Sequence, residues 1–98
     1  MIEGRKEKRE AARFQVYLYS LASPPVAESA STQNVSAGGL RVQSKLPWKP
    51  DTYLLVKSTN GAHAWARARV VYCQALQPMR FALGLEFLAR TGEWGART

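Results

Sequence analysis

The chain has 98 residues, 46% of them apolar, with one cysteine and a formal charge of +7 from fourteen Lys and Arg against seven Asp and Glu. That length suits a single domain with a modest core. A lone cysteine excludes an internal disulfide, and no apolar run reaches the roughly 18 residues of a membrane-spanning helix. The charge points to an anionic partner (nucleic acid, nucleotide, membrane surface or acidic protein) without choosing among them.

Residues 1–12 are nearly all charged or small: Glu3, Arg5, Lys6, Glu7, Lys8, Arg9 and Glu10 leave no apolar face to bury. A flexible basic arm is expected there. Ile2-Glu3-Gly4-Arg5 also matches a protease recognition sequence used in fusion proteins, so these residues need not be native. No apolar stretch follows the charged start, so no secretion signal is read and a cytoplasmic location is expected.

At Arg13 the composition changes. Residues 14–20 are rich in aromatic and β-branched side chains, with Phe14, Val16 and Leu18 on one face of a first strand. Ser23-Pro24-Pro25 stops it, because proline cannot donate to a ladder. Residues 28–32 read as a weak, small-residue strand with Ala30 and Thr32 on one face. It leads into a turn at Asn34, Ser36, Gly38 and Gly39, whose glycines permit positive φ or close approach of a ligand. By itself this turn is an ordinary hairpin. Leu40, Val42 and Ser44 then alternate with Arg41, Gln43 and Lys45.

Residues 46–51 form a loop, with Trp48 placed as a lid on a core edge. Residues 52–57 make the next strand, and Asn60-Gly61 is a strong hairpin signal. Residues 63–73 read as a long strand, with Ala64, Ala66, Ala68 and Val70 opposite Trp65, Arg67 and Arg69. Cys73 belongs to its apolar end and is read as a reduced packing residue rather than a reactive thiol. After a turn at Gln77-Pro78, residues 80–88 return with Phe81, Leu83, Leu85 and Phe87 in phase. Gly84, inside that strand, suggests a bulge, a bend or a close backbone approach. Six strands with short turns predict an all-β domain closed as a small antiparallel barrel over residues 13–90, followed by an irregular tail, 91–98.

No catalytic set stands out. His63 is the only histidine, and beyond the arm the acids are Glu28, Asp51, Glu86 and Glu93, with no paired carboxylates or metal-ligand spacing. The Asn34-Val35-Ser36 sequon is read as chance without a secretion signal. Arg5 and Arg9, and again Arg9 and Arg13, are four apart. Each guanidinium fork can hold a phosphate, or the O6/N7 edge of guanine, in a bidentate way that lysine cannot match.

Taken in order, Arg9-x-x-x-Arg13, then Asn34-x-Ser36-x-x-Gly39, then the closing strand around Leu83-Gly84-Leu85-Glu86-Phe87 resemble the PilZ domain family over roughly residues 5–88. The resemblance implies a six-stranded split β-barrel and a non-catalytic bacterial receptor for the second messenger cyclic di-GMP, with no cofactor and no metal. It implies that Arg9 and Arg13 clamp phosphates and guanine edges, that Asn34 and Ser36 face the ligand from the barrel, and that Gly39 lets the backbone pass close to it. Arg5, Gly38 and Arg41 are additional candidates. Asn34 stands where the family also uses Asp, and a neutral amide should hold guanine N–H groups less strongly. The family's usual C-terminal helix is not read here, so a minimal domain is expected.

Ordering of the arm on binding, read by a protein effector, is the implied switch. Arg41, Arg67, Arg69 and Arg80 are read mainly as solubilising cations. The runner-up is a basic barrel for single-stranded nucleic acid, although nucleic acid is not the partner expected. A third reading is a ligand-free adaptor acting by protein contacts.

Overall fold

The computed structural model describes residues 14–21, 25–59, 64–92 and 94. The expected arm, with Arg5 and Arg9, and Arg13 just after it lie outside the described residues, as do the Asn60-Gly61 signal and His63.

Six strands follow in chain order: β1 Gln15–Ser20, β2 Ala27–Val35, β3 Gly39–Ser44, β4 Tyr53–Ser58, β5 Trp65–Gln77 and β6 Arg80–Thr91. They close into an antiparallel barrel in the order β1-β2-β3-β6-β5-β4, as the sequence pattern predicts. There is no helix among the described residues, and so none long and apolar enough to cross a membrane. β6 runs to Thr91, three residues past the expected end of the last strand, because it stays paired with β5 out to Trp65.

The period-2 pattern of each strand builds the interior. Val16 and Leu18 of β1, Leu40 and Val42 of β3, Leu54 and Val56 of β4, and Leu83 and Leu85 of β6 are buried. β5 contributes only Ala66, Ala68 and Val70, small side chains that suit a narrow barrel. Trp48 joins this core from the loop after β3, which agrees with its expected place at a core edge. Its indole Nε1 donates to Glu28 Oε1 at 2.8 Å. The same carboxylate accepts from Ser44 Oγ at 2.8 Å and from the Lys45 amide at 2.6 Å, so Glu28 holds both sides of the β3–β4 connection. Cys73 is a half-buried free thiol packed against the core.

Four register shifts interrupt the ladders, one between β2 and β3 and three between β5 and β6, and two of them set the outward side chains described next. In β2 the register shifts between Thr32 and Asn34, so that Thr32 pairs with Val42 and Asn34 with Arg41. Gln33 is the extra residue, and Asn34 comes out on the outer face instead of following Ala30 and Thr32 inward. In β5 the register shifts between Val70 and Tyr72, with Tyr72 opposite Gly84. Val71 is the extra residue there, and Tyr72 is likewise turned outward, while Cys73 takes the inward phase.

Candidate functional site

The two bulges aim at the same piece of surface. A groove of about 500 Å³ lies over the end of β2, the start of β3 and the middle of β6 and β5. Asn34, Ser36, Gly38 and Gly39 form one wall; Arg41, Tyr72 and Gly84 form the floor; Arg69 and Glu86 close the far side. Asn34, Ser36 and Gly39 are therefore brought together, and the two additional candidates Gly38 and Arg41 join them.

The turn differs from the sequence expectation in one respect. Asn34 is not part of it: it is the next-to-last residue of β2, and the reversal takes place over residues 36–38. The Ser36 amide donates to the Gly39 carbonyl at 2.9 Å, and Ser36 Oγ reaches the same oxygen at 3.4 Å. The Phe87 amide donates to the Gly38 carbonyl at 2.8 Å, which fixes the turn to β6.

Of the two reasons expected for the glycines, the left-handed backbone is not the one at work. The only positive-φ glycine among the described residues is Gly92, so neither Gly38 nor Gly39 is needed for a left-handed backbone. Gly39 is required by packing. A Cβ there would overlap the Leu85 carbonyl oxygen and lie 3.1 Å from its carbon, against backbone that cannot step aside. Gly38 faces open space. Gly84 resolves as a close approach, with the Tyr72 ring lying directly against it.

Across the floor runs a short relay of polar groups. Arg41 Nε donates to Gln33 Oε1 at 3.1 Å, and Arg41 Nη1 donates to Tyr72 Oη at 3.2 Å. Gln33 Nε2 donates in turn to Gln43 Oε1 at 3.2 Å. The residue extruded by one bulge and the ring turned out by the other thus hold the two ends of one guanidinium. Both partners are neutral, so the Arg41 charge is not cancelled by them. Arg69 is different. Its Nη1 meets Asp51 Oδ1 at 2.7 Å and its Nη2 meets Glu86 Oε1 at 2.9 Å. The hydrogen bond with Glu86, then the one with Asp51, pushes the guanidinium further up from its ordinary value, so it stays charged. That charge is nevertheless matched by two carboxylates. A dianion entering the groove would meet one uncompensated cation from the described residues, Arg41.

Arg41, an additional site candidate, and Arg69, favoured from sequence as a solubilising cation, both line the groove. Arg80 lines a separate polar groove with Lys45, and Arg67 lies on the outer face of β5. Sequence reasoning missed Tyr72 and Glu86. Tyr72 would have been found only by noticing that β5 cannot keep one phase from Ala64 to Cys73 without burying a phenol.

A family model described as PilZ domain matches residues 3–93 of the chain. No curated protein matches it.

Proposed function

The chain belongs to the PilZ domain family, whose members are receptors for cyclic di-GMP, and on that premise we propose that it binds this nucleotide, without catalysis, in the groove between β2 and β5. Asn34 and Ser36 offer an amide and a hydroxyl to guanine and the phosphodiester, and Arg41 offers the one unmatched groove charge among the described residues. Arg9 and Arg13 supply the remaining cations from the chain just ahead of β1.

The observation that supports this reading best is the charge balance of the groove. Cyclic di-GMP is a dianion carrying two flat bases. The groove has donors, a ring and a polar wall, but Arg69 is already held by Asp51 and Glu86. Cations from outside the barrel are therefore needed, and Arg9 and Arg13 stand in the right part of the sequence to bring them. Their engagement would place residues 1–13 against the barrel only when ligand is present, and a protein effector can read that difference.

Amide NMR during a titration with cyclic di-GMP tests the location. Shifts should concentrate at Asn34, Ser36, Gly38, Gly39 and Tyr72. Shifts confined to the outer faces of β1 and β4 would contradict the proposed site.

A further inference from the structure

A second pattern lies on the outer face of β1, β4 and β5, which meets the groove at Arg69. The outward residues of β1, β4 and β5 form three rows across the sheet. Tyr17 pairs with Lys57, which pairs with Trp65; Tyr19 pairs with Leu55, which pairs with Arg67; Tyr53 pairs with Arg69. Three of the four tyrosines stand on this one outer face, together with one of the three tryptophans. Each row holds at least one ring and one cation. No Asp or Glu stands in any row.

The rings are presented rather than packed away. Tyr17, Tyr53 and Trp65 keep 41%, 52% and 40% of their surface exposed. Three of the rings, Tyr17, Tyr19 and Trp65, form a continuous array: the Tyr17 and Tyr19 ring centroids are 6.4 Å apart, and Tyr19 stacks on Trp65 at 6.1 Å with 25° between planes. Lys57 Nζ lies 5.5 Å from the Trp65 ring centre. Among the described residues neither Lys57 nor Arg67 makes an ion pair, in contrast to Arg69 at the edge of the face.

We propose that this outer face of β1, β4 and β5 binds single-stranded nucleic acid. Neighbouring strands are about 4.8 Å apart, so a chain laid along the first row meets ring, cation and ring (Tyr17, Lys57, Trp65), with Tyr19 and the Arg67 cation in the row beside it. A polymer of flat bases joined by phosphates uses both: its bases stack on Tyr and Trp, and its phosphates meet Lys57 and Arg67. An acidic peptide would use the cations and leave the rings without flat partners. The site is separate from the nucleotide groove, sharing only Arg69 with it, and does not depend on the cyclic di-GMP reading. It gives the second function class suggested by the chain's charge and aromatic content a defined surface.

The test is fluorescence anisotropy of the full chain with a fluorescein-labelled oligothymidylate of about fifteen nucleotides, a length within the usual single-strand site range. Saturable binding at low salt is expected. Trp65→Ala and Tyr53→Ala should each weaken it by about tenfold, the loss typical of one stacked base. Lys57→Ala/Arg67→Ala should flatten the dependence of log affinity on log salt by about 1.4, two phosphate contacts of a single strand. All four side chains are on the surface, and circular dichroism checks that the variants fold. Asn34→Ala should leave oligothymidylate binding unchanged. Absence of binding by the wild-type chain overturns the proposal, as does binding that ignores both ring substitutions. Poly-L-glutamate bound with the same dependence on Trp65 and Tyr53 would also overturn it, assigning the face to an acidic protein instead.

Discussion

The Tyr72 ring lies flat against Gly84 on the neighbouring strand, so close that a Cβ added to Gly84 would stand 2.7 Å from the ring's Cδ2 and Cζ. Glycine is weak in a strand interior, and its presence here is explained by what lies on top of it. The ring occupies the place of the missing side chain, and its hydroxyl holds Arg41 in the floor of the groove.

Gly84→Ala should therefore displace the ring and break the Arg41 contact. Overpacking of this kind costs about 1–3 kcal/mol, read as a lower midpoint in urea denaturation. In a Tyr72→Ala background the same substitution should cost much less, since nothing then meets the new methyl group. A double-mutant cycle showing no coupling between the two positions would contradict the contact as the reason for the glycine.

The two motif glycines should behave differently. Gly39→Ala drives a Cβ into the Leu85 carbonyl, where β3 and β6 are paired and neither backbone can yield. A loss of about 1–3 kcal/mol is expected, which in a domain of this size lowers Tm by several degrees, at about 4–8 °C per kcal/mol. Gly38→Ala meets open space and should stay within about 0.5 kcal/mol of the parent. Equal Tm values for the two variants would contradict the packing account of Gly39.

Much of the barrel is legible in the sequence because its strands alternate cleanly. Val16 and Leu18, Leu40 and Val42, and Leu83 and Leu85 each announce an inward face, and the turns between them carry proline, glycine or asparagine. The groove is less legible, and the reason is physical. Counting by twos from Ala30 sends Asn34 into the core, and counting by twos from Ala64 sends Tyr72 there as well. Both face outward because one extra residue, Gln33 in β2 and Val71 in β5, resets the phase. A bulge leaves no composition signal of its own. Its trace is the conflict it resolves, a polar or phenolic side chain falling on an inward count. The outer aromatic face was hidden differently: Tyr17 is far in sequence from Lys57 and Trp65 and becomes their neighbour only through the β1–β4 register.

Cys73 should be a quiet thiol with a pH signature. Burial pushes its pKa up from 9.0, partly offset by a backbone hydrogen bond from Trp48. The folded protein then holds the proton after the unfolded chain has released it. Its contribution to stability is accordingly complete below about pH 9 and declines as pH rises through the folded value. Urea midpoints should fall above pH 9 in the parent and fall less in Cys73→Ala. Alkylation by iodoacetamide at neutral pH should be slow until the chain is unfolded. Rapid alkylation of the folded protein would contradict the packed, protonated thiol.

The central claim is that the groove is half of a nucleotide site, completed by Arg9 and Arg13. Isothermal titration of the full chain with cyclic di-GMP tests it most directly. Saturable binding is predicted for the parent, weakened about ten- to a hundredfold in Arg9→Ala or Arg13→Ala, as expected for one lost charge-assisted contact. No heat and no rise in Tm at high ligand concentration, or arginine variants that bind as tightly as the parent, would contradict it.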